Sequence, residues 1–350
     1  MKCDVCIIGA GPAGLFCALR LVQAGAAVVL VEKSQIAGTK SCGGGLTPRA
    51  FQLVCDELGL NVESMPVQFE PQRRLQVCSE YGRTTIEQLV PYMYVGDKRW
   101  WLTRLSRRLQ EQGGRVLMGR RCRDIAEGEV RLTDGTQIAT DYIVAADGPR
   151  SLIRKKLHLP NGASVMARQI VVSRSVLTAD IVDWKQPAVW FDYNRFGAGY
   201  AWSFPFQDDA RIGCCVPRMT HSNQQLNRAF FDWLRTLNLS AESGKLESGS
   251  IGCEYVGHRL GRIFLVGDAA GLASPVTGEG IFQAMVSGEE VAREILTPGY
   301  YSTPIAELSM RHHRVFNLLT NAYLGGALYQ CSAQLLRVPS VARKAMAIFS

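Results

Sequence analysis

The stretch "DVCIIGAGPAGLFCALRLVQAGAAVVLVEK" (residues 4–33) decides the fold. It reads as an apolar strand, a tight turn, a run with apolar residues at helical spacing, and a second apolar strand ending in an acid. That order is a βαβ unit. Its turn carries Gly9, Gly11 and Gly14 as G-x-G-x-x-G, with Pro12 and Ala13 between the last two. Gly9 makes the turn, Gly11 lets the backbone approach a pyrophosphate, and Gly14 allows close helix-to-strand packing. The helix start then offers free N–H groups and a positive dipole end to phosphates. Glu32, followed by Lys33, lies where a carboxylate accepts hydrogen bonds from ribose hydroxyls, and an acid there disfavours a 2′-phosphate. The unit predicts an adenosine diphosphate moiety, of FAD or of NAD.

Residues 262–296, "RIFLVGDAAGLASPVTGEGIFQAMVSGEEVAREIL", choose between them. An apolar strand ends in Gly267-Asp268, a loop of small residues carries Gly278 and Gly280, and a helical pattern opens at Ile281. This resembles the second FAD fingerprint of the glutathione-reductase-like flavoproteins, in the branch of the aromatic hydroxylases. The resemblance implies that Asp268 meets ribityl or pyrophosphate oxygens and that the helix points its N-terminus at the flavin ring. A helix start there stabilises the negative charge of reduced flavin. "DYIVAADGPRSLIRKKL" (141–157) is similar to a third motif of that branch, with Asp147, Gly148, Ser151 and Arg154 in place. Family likeness implies that it supports the pyrophosphate and, in hydroxylases, a transient NAD(P)H. Three motifs in this order predict FAD.

The predicted fold class is α/β: an FAD-binding Rossmann-like βαβ domain interleaved with a β-sheet substrate domain, and a helical C-terminal region. Segments 1–45, 95–155 and 260–300 are expected to form the first domain, 50–92 and 158–258 the second, and 301–350 the C-terminal helices. The second set is rich in β-branched and aromatic residues, as in "RQIVVSRSVL", "AVWFDYN", "GYAWSFP" and "ARIGCCVP". Its sheet should roof the flavin, with substrate held between the domains.

"CGGG" at Cys42, Gly43, Gly44 and Gly45, together with Tyr200-Ala201-Trp202-Ser203-Phe204-Pro205, resembles the geranylgeranyl reductase family. The likeness implies a loop whose bare backbone lies beside the isoalloxazine, with Cys42 on the substrate side. Glycines suit such a loop because they leave room and adopt positive φ. Three roles for Cys42 stay open: a loop anchor, a proton donor or relay, or packing alone. No cysteine or histidine stands at ligand spacing from it, so no metal is predicted. Tyr200, Trp202 and Phe204 alternate onto one strand face, an ordinary core pattern or the aromatic wall of an apolar pocket, with Pro205 a further candidate substrate contact. One departure stands out. Where this branch carries an arginine opening a helix and then Phe-Asp, "DKRWWLTRL" offers Lys98, with Arg99 beside it, and Trp101-Leu102. A lysine holds phosphate as a point charge and forms no bidentate fork.

Net charge is +8 over 350 residues, and it is scattered in runs such as "RLSRRL" and "RKKL". No basic stripe interleaved with aromatics suggests nucleic acid. Eleven cysteines, an odd number in a long chain, read as reduced thiols of a cytoplasmic protein. Cys3 and Cys6 form C-x-x-C on a strand, where that spacing predicts opposite faces. No run of about 18 apolar residues suggests a spanning helix. The C-terminal stretch, with Arg337, Arg343 and Lys344, is expected to cap the substrate domain or to meet a membrane surface peripherally. His312 and His313 point apart on a helix. The leading activity is reduction of carbon–carbon double bonds in an isoprenoid or other apolar substrate, with Cys42 and Tyr200 as candidate catalytic groups. The electron donor is left open among NAD(P)H, ferredoxin and a quinol. A flavin monooxygenase and a non-enzymatic prenyl-binding escort are the rivals.

Overall fold

The structure is a computed structural model that describes residues 1–310 apart from 62–66, 161, 163, 178–181, 219 and 276, and beyond 310 only Val338 and Ser340. Of the expected C-terminal helices, residues 303–310 are helical, and the part with His312, His313, Arg337, Arg343 and Lys344 lies outside the described residues.

The opening strand, Lys2–Ile8, runs parallel to Val28–Glu32 on one side and Gln137–Ala145 on the other. Ile263–Leu265 and Arg115–Met118 extend the sheet at its two flanks. Parallel strands need crossover connections, and α1 (Pro12–Gln23) supplies the first. Its Leu15, Phe16 and Leu19 are buried against the continuous apolar runs of the strands. Packing is backbone-tight: a Cβ on Gly14 would sit 2.0 Å from Gly9 O, and one on Gly9 would sit 2.3 Å from Ala146 O. The same holds between helices, where Gly288 abuts Ala13 O in α1.

The opening strand carries an irregularity that overturns one expectation. Asp4 N and Val5 N both donate to Ala27 O, at 2.9 and 3.2 Å. Here Cys3 and Cys6 are both buried and in contact, rather than apart on opposite faces. Contact with Cys6 lowers the Cys3 thiol to about 7 and raises that of Cys6. Both remain free thiols, and among the described residues no cluster of metal-ligating groups occurs.

Between these strands lie α2 (Pro48–Leu58), α3 (Lys98–Glu111) and α4 (Leu152–Lys156). Buried Glu57 in α2 pairs with Arg20 of α1 and Arg108 of α3, at 2.9 and 3.4 Å. With Phe51 and Val54 also buried there, α2 joins the core of the parallel sheet, whereas the sequence grouped residues 50–92 with the other sheet. A small three-stranded sheet, Gly45–Leu46, Met93–Gly96 and Phe69–Gln72, lies beside it.

The second large sheet orders its seven strands as Lys245–Gly252, Ser164–Ser173, Asp209–Pro217, Tyr200–Phe206, Ala188–Phe191, Arg74–Ser79 and Gly82–Glu87. Strict alternation gives it two apolar faces. The outer one, with Ala201, Ile212 and Cys214, is covered by α5 (Tyr193–Phe196) and α6 (Asn223–Thr236) through Phe196, Phe230 and Trp233. The inner one carries Trp202, Cys215, Val165 and Val189. Among the described residues the last long helix, α7 (Ile281–Leu296), returns to pack on α1.

Candidate functional site

At the C-terminal ends of the parallel strands, α1 opens on Gly11 and Pro12 with no side chain capping its free N–H groups. A Cβ on Gly11 would meet nothing within 4 Å, so the backbone there is open to close approach. An uncapped helix start facing open space is an anion seat. Ala13 is buried one position on and packs beside Gly267. Glu32 closes the turn: its two oxygens accept from Ala10 N (2.9 Å) and Ser34 N (2.8 Å), while Lys33 is exposed. Asp147 borders Gly9. One of its oxygens accepts from Leu152 N at 2.7 Å, fixing the start of α4, and the other is buried with no partner. Burial pushes this carboxyl above the usual range against the pull of Ser151 and the α4 amides. Gly148 follows at φ +82. Arg154 turns inward instead, donating to Pro160 O and toward Ala269 O, so it braces the fold.

The second fingerprint faces the first. Gly267 N donates to Ser287 Oγ at 2.9 Å, which leaves Asp268 at the tip of the turn. Gly280 opens α7 with no side-chain cap and lies within 3.2 Å of Asp268 Oδ1 at its Cβ position. Ile281 is the first, half-buried residue of that helix, and Gly278 at φ +64 lies beside Tyr200 Oη.

The glycine loop joins these elements to the inner face of the seven-stranded sheet. Lys40 Nζ pairs with Asp268 at 2.5 Å, and Lys98 Nζ donates to Lys40 O. Gln169 Nε2, from the sheet, donates to Cys42 O at 3.2 Å, and Cys42 Sγ accepts from Gly44 N at 3.3 Å. Gly43 lies against the aromatic face: a Cβ there would be 3.2 Å from Trp202 Nε1 and from the Phe204 ring. Gly44, at φ +84, leaves the space that the Arg211 guanidinium fills, and Gly45 contacts Phe204. The indole N–H of Trp202 is buried without a partner. Tyr200 Oη donates to Thr277 O, and burial pushes this phenol far up, with Cys215, Glu279 and Cys42 adding to the shift. Two open surface hollows, one along Arg20, Glu289 and Arg293 and one along Asp192, His221 and Arg228, lie away from this cleft.

The uncapped starts of α1 and α7, the open face of Gly11 and the orphaned Asp147 oxygen fit a dinucleotide carrying a diphosphate. A family described as "FAD binding domain" matches residues 2–233. The chain belongs to that family. FAD is its cofactor, and its relatives are FAD-dependent oxidoreductases. Digeranylgeranylglycerophospholipid reductase 1 of Methanopyrus kandleri is 29% identical over 320 residues, covering 85% of this chain and 82% of that protein. Among solved structures, a geranylgeranyl bacteriochlorophyll reductase-like protein of Thermoplasma acidophilum superposes with a TM-score of 0.76 over 99% of this chain and 95% of that one, at 18% identity. A flavin-dependent brominase shares the fold as well, with a TM-score of 0.70 over 99% and 93% at 18% identity.

The structure therefore gathers Gly9, Gly11, Gly14, Glu32, Asp147, Asp268, Gly280 and the loop Cys42–Gly45 around one cleft. Pro205 does not join them. Strand alternation from Tyr200, Trp202 and Phe204 places it on the outer face with Ala201 and Ser203. Lys98 lies under the glycine loop, while Arg99 is exposed and Asp97 caps α3 through Arg99 N at 2.9 Å. Trp101 and Leu102, in place of Phe-Asp, fill the core. Sequence reasoning missed Lys40, Gln169 and Arg211. The first stands two residues before Cys42, a usable signal. The other two alternate inward on strands that look like many others.

Proposed function

We propose that this chain reduces carbon–carbon double bonds in an isoprenoid or comparably apolar substrate. The observation that carries the reading is the seating of the glycine loop on the aromatic face, Gly43 against Trp202 and Phe204. A hydrocarbon chain offers no polar handle and is held by shape and apolar contact, which such a face provides. The relative named a digeranylgeranylglycerophospholipid reductase supports the same substrate class. When bound, reduced FAD supplies hydride. The turn of Gly9, Gly11, Pro12, Ala13 and Gly14, with Glu32, Asp147 and Asp268, would hold the cofactor, and the uncapped start of α7 at Gly280 and Ile281 would stabilise negative charge on it.

An isolated alkene accepts hydride poorly, so a proton must lead or accompany the transfer. Tyr200 is ill-suited to give it, because its proton is held on Thr277 O and burial opposes the phenolate. Cys42, on the loop itself, is the better donor. NAD(P)H, ferredoxin or a quinol would supply electrons. The reading extends to a cytoplasmic protein in peripheral contact with a bilayer. Among the described residues no helix is long and apolar enough to cross one.

The test is anaerobic. Protein reduced with dithionite is mixed with geranylgeranyl diphosphate or a prenylated lipid while the flavin spectrum is followed. Reoxidation with a product about two mass units heavier is the expected result. A reduced flavin that ignores prenyl substrates but reacts with oxygen beside a small aromatic would install the monooxygenase reading instead.

A further inference from the structure

Asp268 lies where the starts of two helices meet. Its neighbour Gly267 packs on both: a Cβ there would sit 3.2 Å from the Ala13 side chain, in the first turn of α1, and 3.2 Å from that of Ala284 in α7. Asp268 Oδ1 is itself 3.2 Å from the Cβ position of Gly280, at the uncapped start of α7. The open start of α1 at Gly11 is a seat for a diphosphate, so a carboxylate stands next to the place where FAD would bring negative charge. Like charges in one partly enclosed cleft repel, and binding suffers unless a cation offsets one of them.

Lys40 is placed to be that cation. Its Nζ reaches Asp268 Oδ2 at 2.5 Å, with 45% of the lysine side chain and 13% of the aspartate side chain exposed. An ion pair this open to water adds little to stability. The fold nevertheless fixes its approach with care. Lys98 Nζ, at the start of α3, donates to Lys40 O; Ser41 Oγ donates to Ser248 O at 3.1 Å; Gln169 Nε2 donates to Cys42 O at 3.2 Å. Three consecutive residues are thus held by three separate elements, and the Lys40 side chain projects to Asp268 from a braced backbone.

We propose that Lys40 neutralises Asp268 so that the diphosphate of FAD can seat beside it, which makes Lys40 a positioning residue that acts through the carboxylate. The inference depends on the cofactor and not on the substrate. It also couples the two sides of the cleft. The same pair ties the glycine loop to the second fingerprint, so FAD binding and the docked loop favour each other to the same extent.

The test is FAD affinity, read from flavin fluorescence as FAD is titrated into the full-length chain stripped of cofactor. Lys40→Met is expected to weaken binding about tenfold at low salt, and Lys40→Arg, which keeps the charge, to stay within about threefold of the parent. Raising the salt to about 0.5 M should shrink the gap between Lys40→Met and the parent, because the repulsion is screened. In an Asp268→Asn background there is no charge to neutralise. Removing Lys40 there should change the affinity by less than about twofold, whatever Asp268→Asn costs by itself. The melting temperature of the stripped chain should be the same with and without Lys40, as an exposed pair implies. An equal tenfold loss in both backgrounds overturns the proposal and makes Lys40 a direct ligand of the diphosphate. Unchanged affinity in Lys40→Met overturns it too, as does a loss that salt leaves untouched or that follows a fall in the stability of the stripped chain.

Discussion

The turn at Gly9–Gly14 and the loop at Lys40–Gly45 are both glycine-rich, yet they are built differently. In the turn, glycines stand where backbone meets backbone: the partners of Gly14 and Gly9 are carbonyl oxygens at 2.0 and 2.3 Å from any added Cβ. In the loop, the partners are side-chain ends, Arg211 at Gly44 and the rings of Trp202 and Phe204 at Gly43. Backbone cannot yield, whereas side-chain ends can. Gly9 and Gly14 should therefore tolerate no side chain, whereas the loop should be tunable.

The largest effect expected follows from that contrast. Gly14→Ala drives a methyl into Gly9 O with no room for relaxation, and overpacking of this kind costs ~3 kcal/mol. A chemical denaturation curve should show that loss, and FAD binding should fall with it. A near-neutral Gly14→Ala would break the distinction outright. Gly44→Ala is expected to be milder, about 1–2 kcal/mol, from positive φ and from displacing Arg211. Adding Arg211→Ala should recover the steric share and leave the φ share, so the pair would be non-additive. Additive losses would mean that the guanidinium does not fill the space at Gly44.

The same contrast explains what could be read from the chain. The turn was legible because its glycines, strand, helix and acid lie within about thirty consecutive residues, where periodicity and spacing act. The second and third FAD motifs were legible through their resemblance to the glutathione-reductase-like flavoproteins. The loop's partners were not: Lys40 meets Asp268 across 228 positions, and Gln169 meets Cys42 across 127. Nothing local marks Gln169 or Arg211 on a strand as facing inward. Pro205 was misplaced because a motif was taken whole, although the alternation that grouped Tyr200, Trp202 and Phe204 already excluded it. The Cys3–Cys6 pair was misread because the alternation was taken as strict, whereas Asp4 N and Val5 N share one acceptor, Ala27 O, on the neighbouring strand.

A smaller effect sharpens the role of the loop's neighbour. Tyr200→Phe removes a hydrogen bond to Thr277 O and should cost ~1 kcal/mol in stability. Single-turnover reduction is expected within threefold of the parent, because the phenol proton is not the one delivered. A hundredfold loss with the fold intact would return Tyr200 to the chemistry and displace Cys42.

The smallest effect concerns Asp147 and asks whether the rigid region is also electrostatically strained. Its carboxyl is raised by burial, so folding favours the protonated form. The stability associated with that preference is present below the ordinary carboxylate range and is lost as pH rises through the raised folded value. Asp147→Asn keeps an oxygen for Leu152 N and carries no charge to desolvate. The variant should therefore gain on the parent in denaturation midpoint as pH climbs from about 4 toward neutrality, with both proteins compared free of added FAD. A gap that stays flat across that range would mean that the unpartnered oxygen is not paying a desolvation cost, and the rigidity of the turn would then be steric alone.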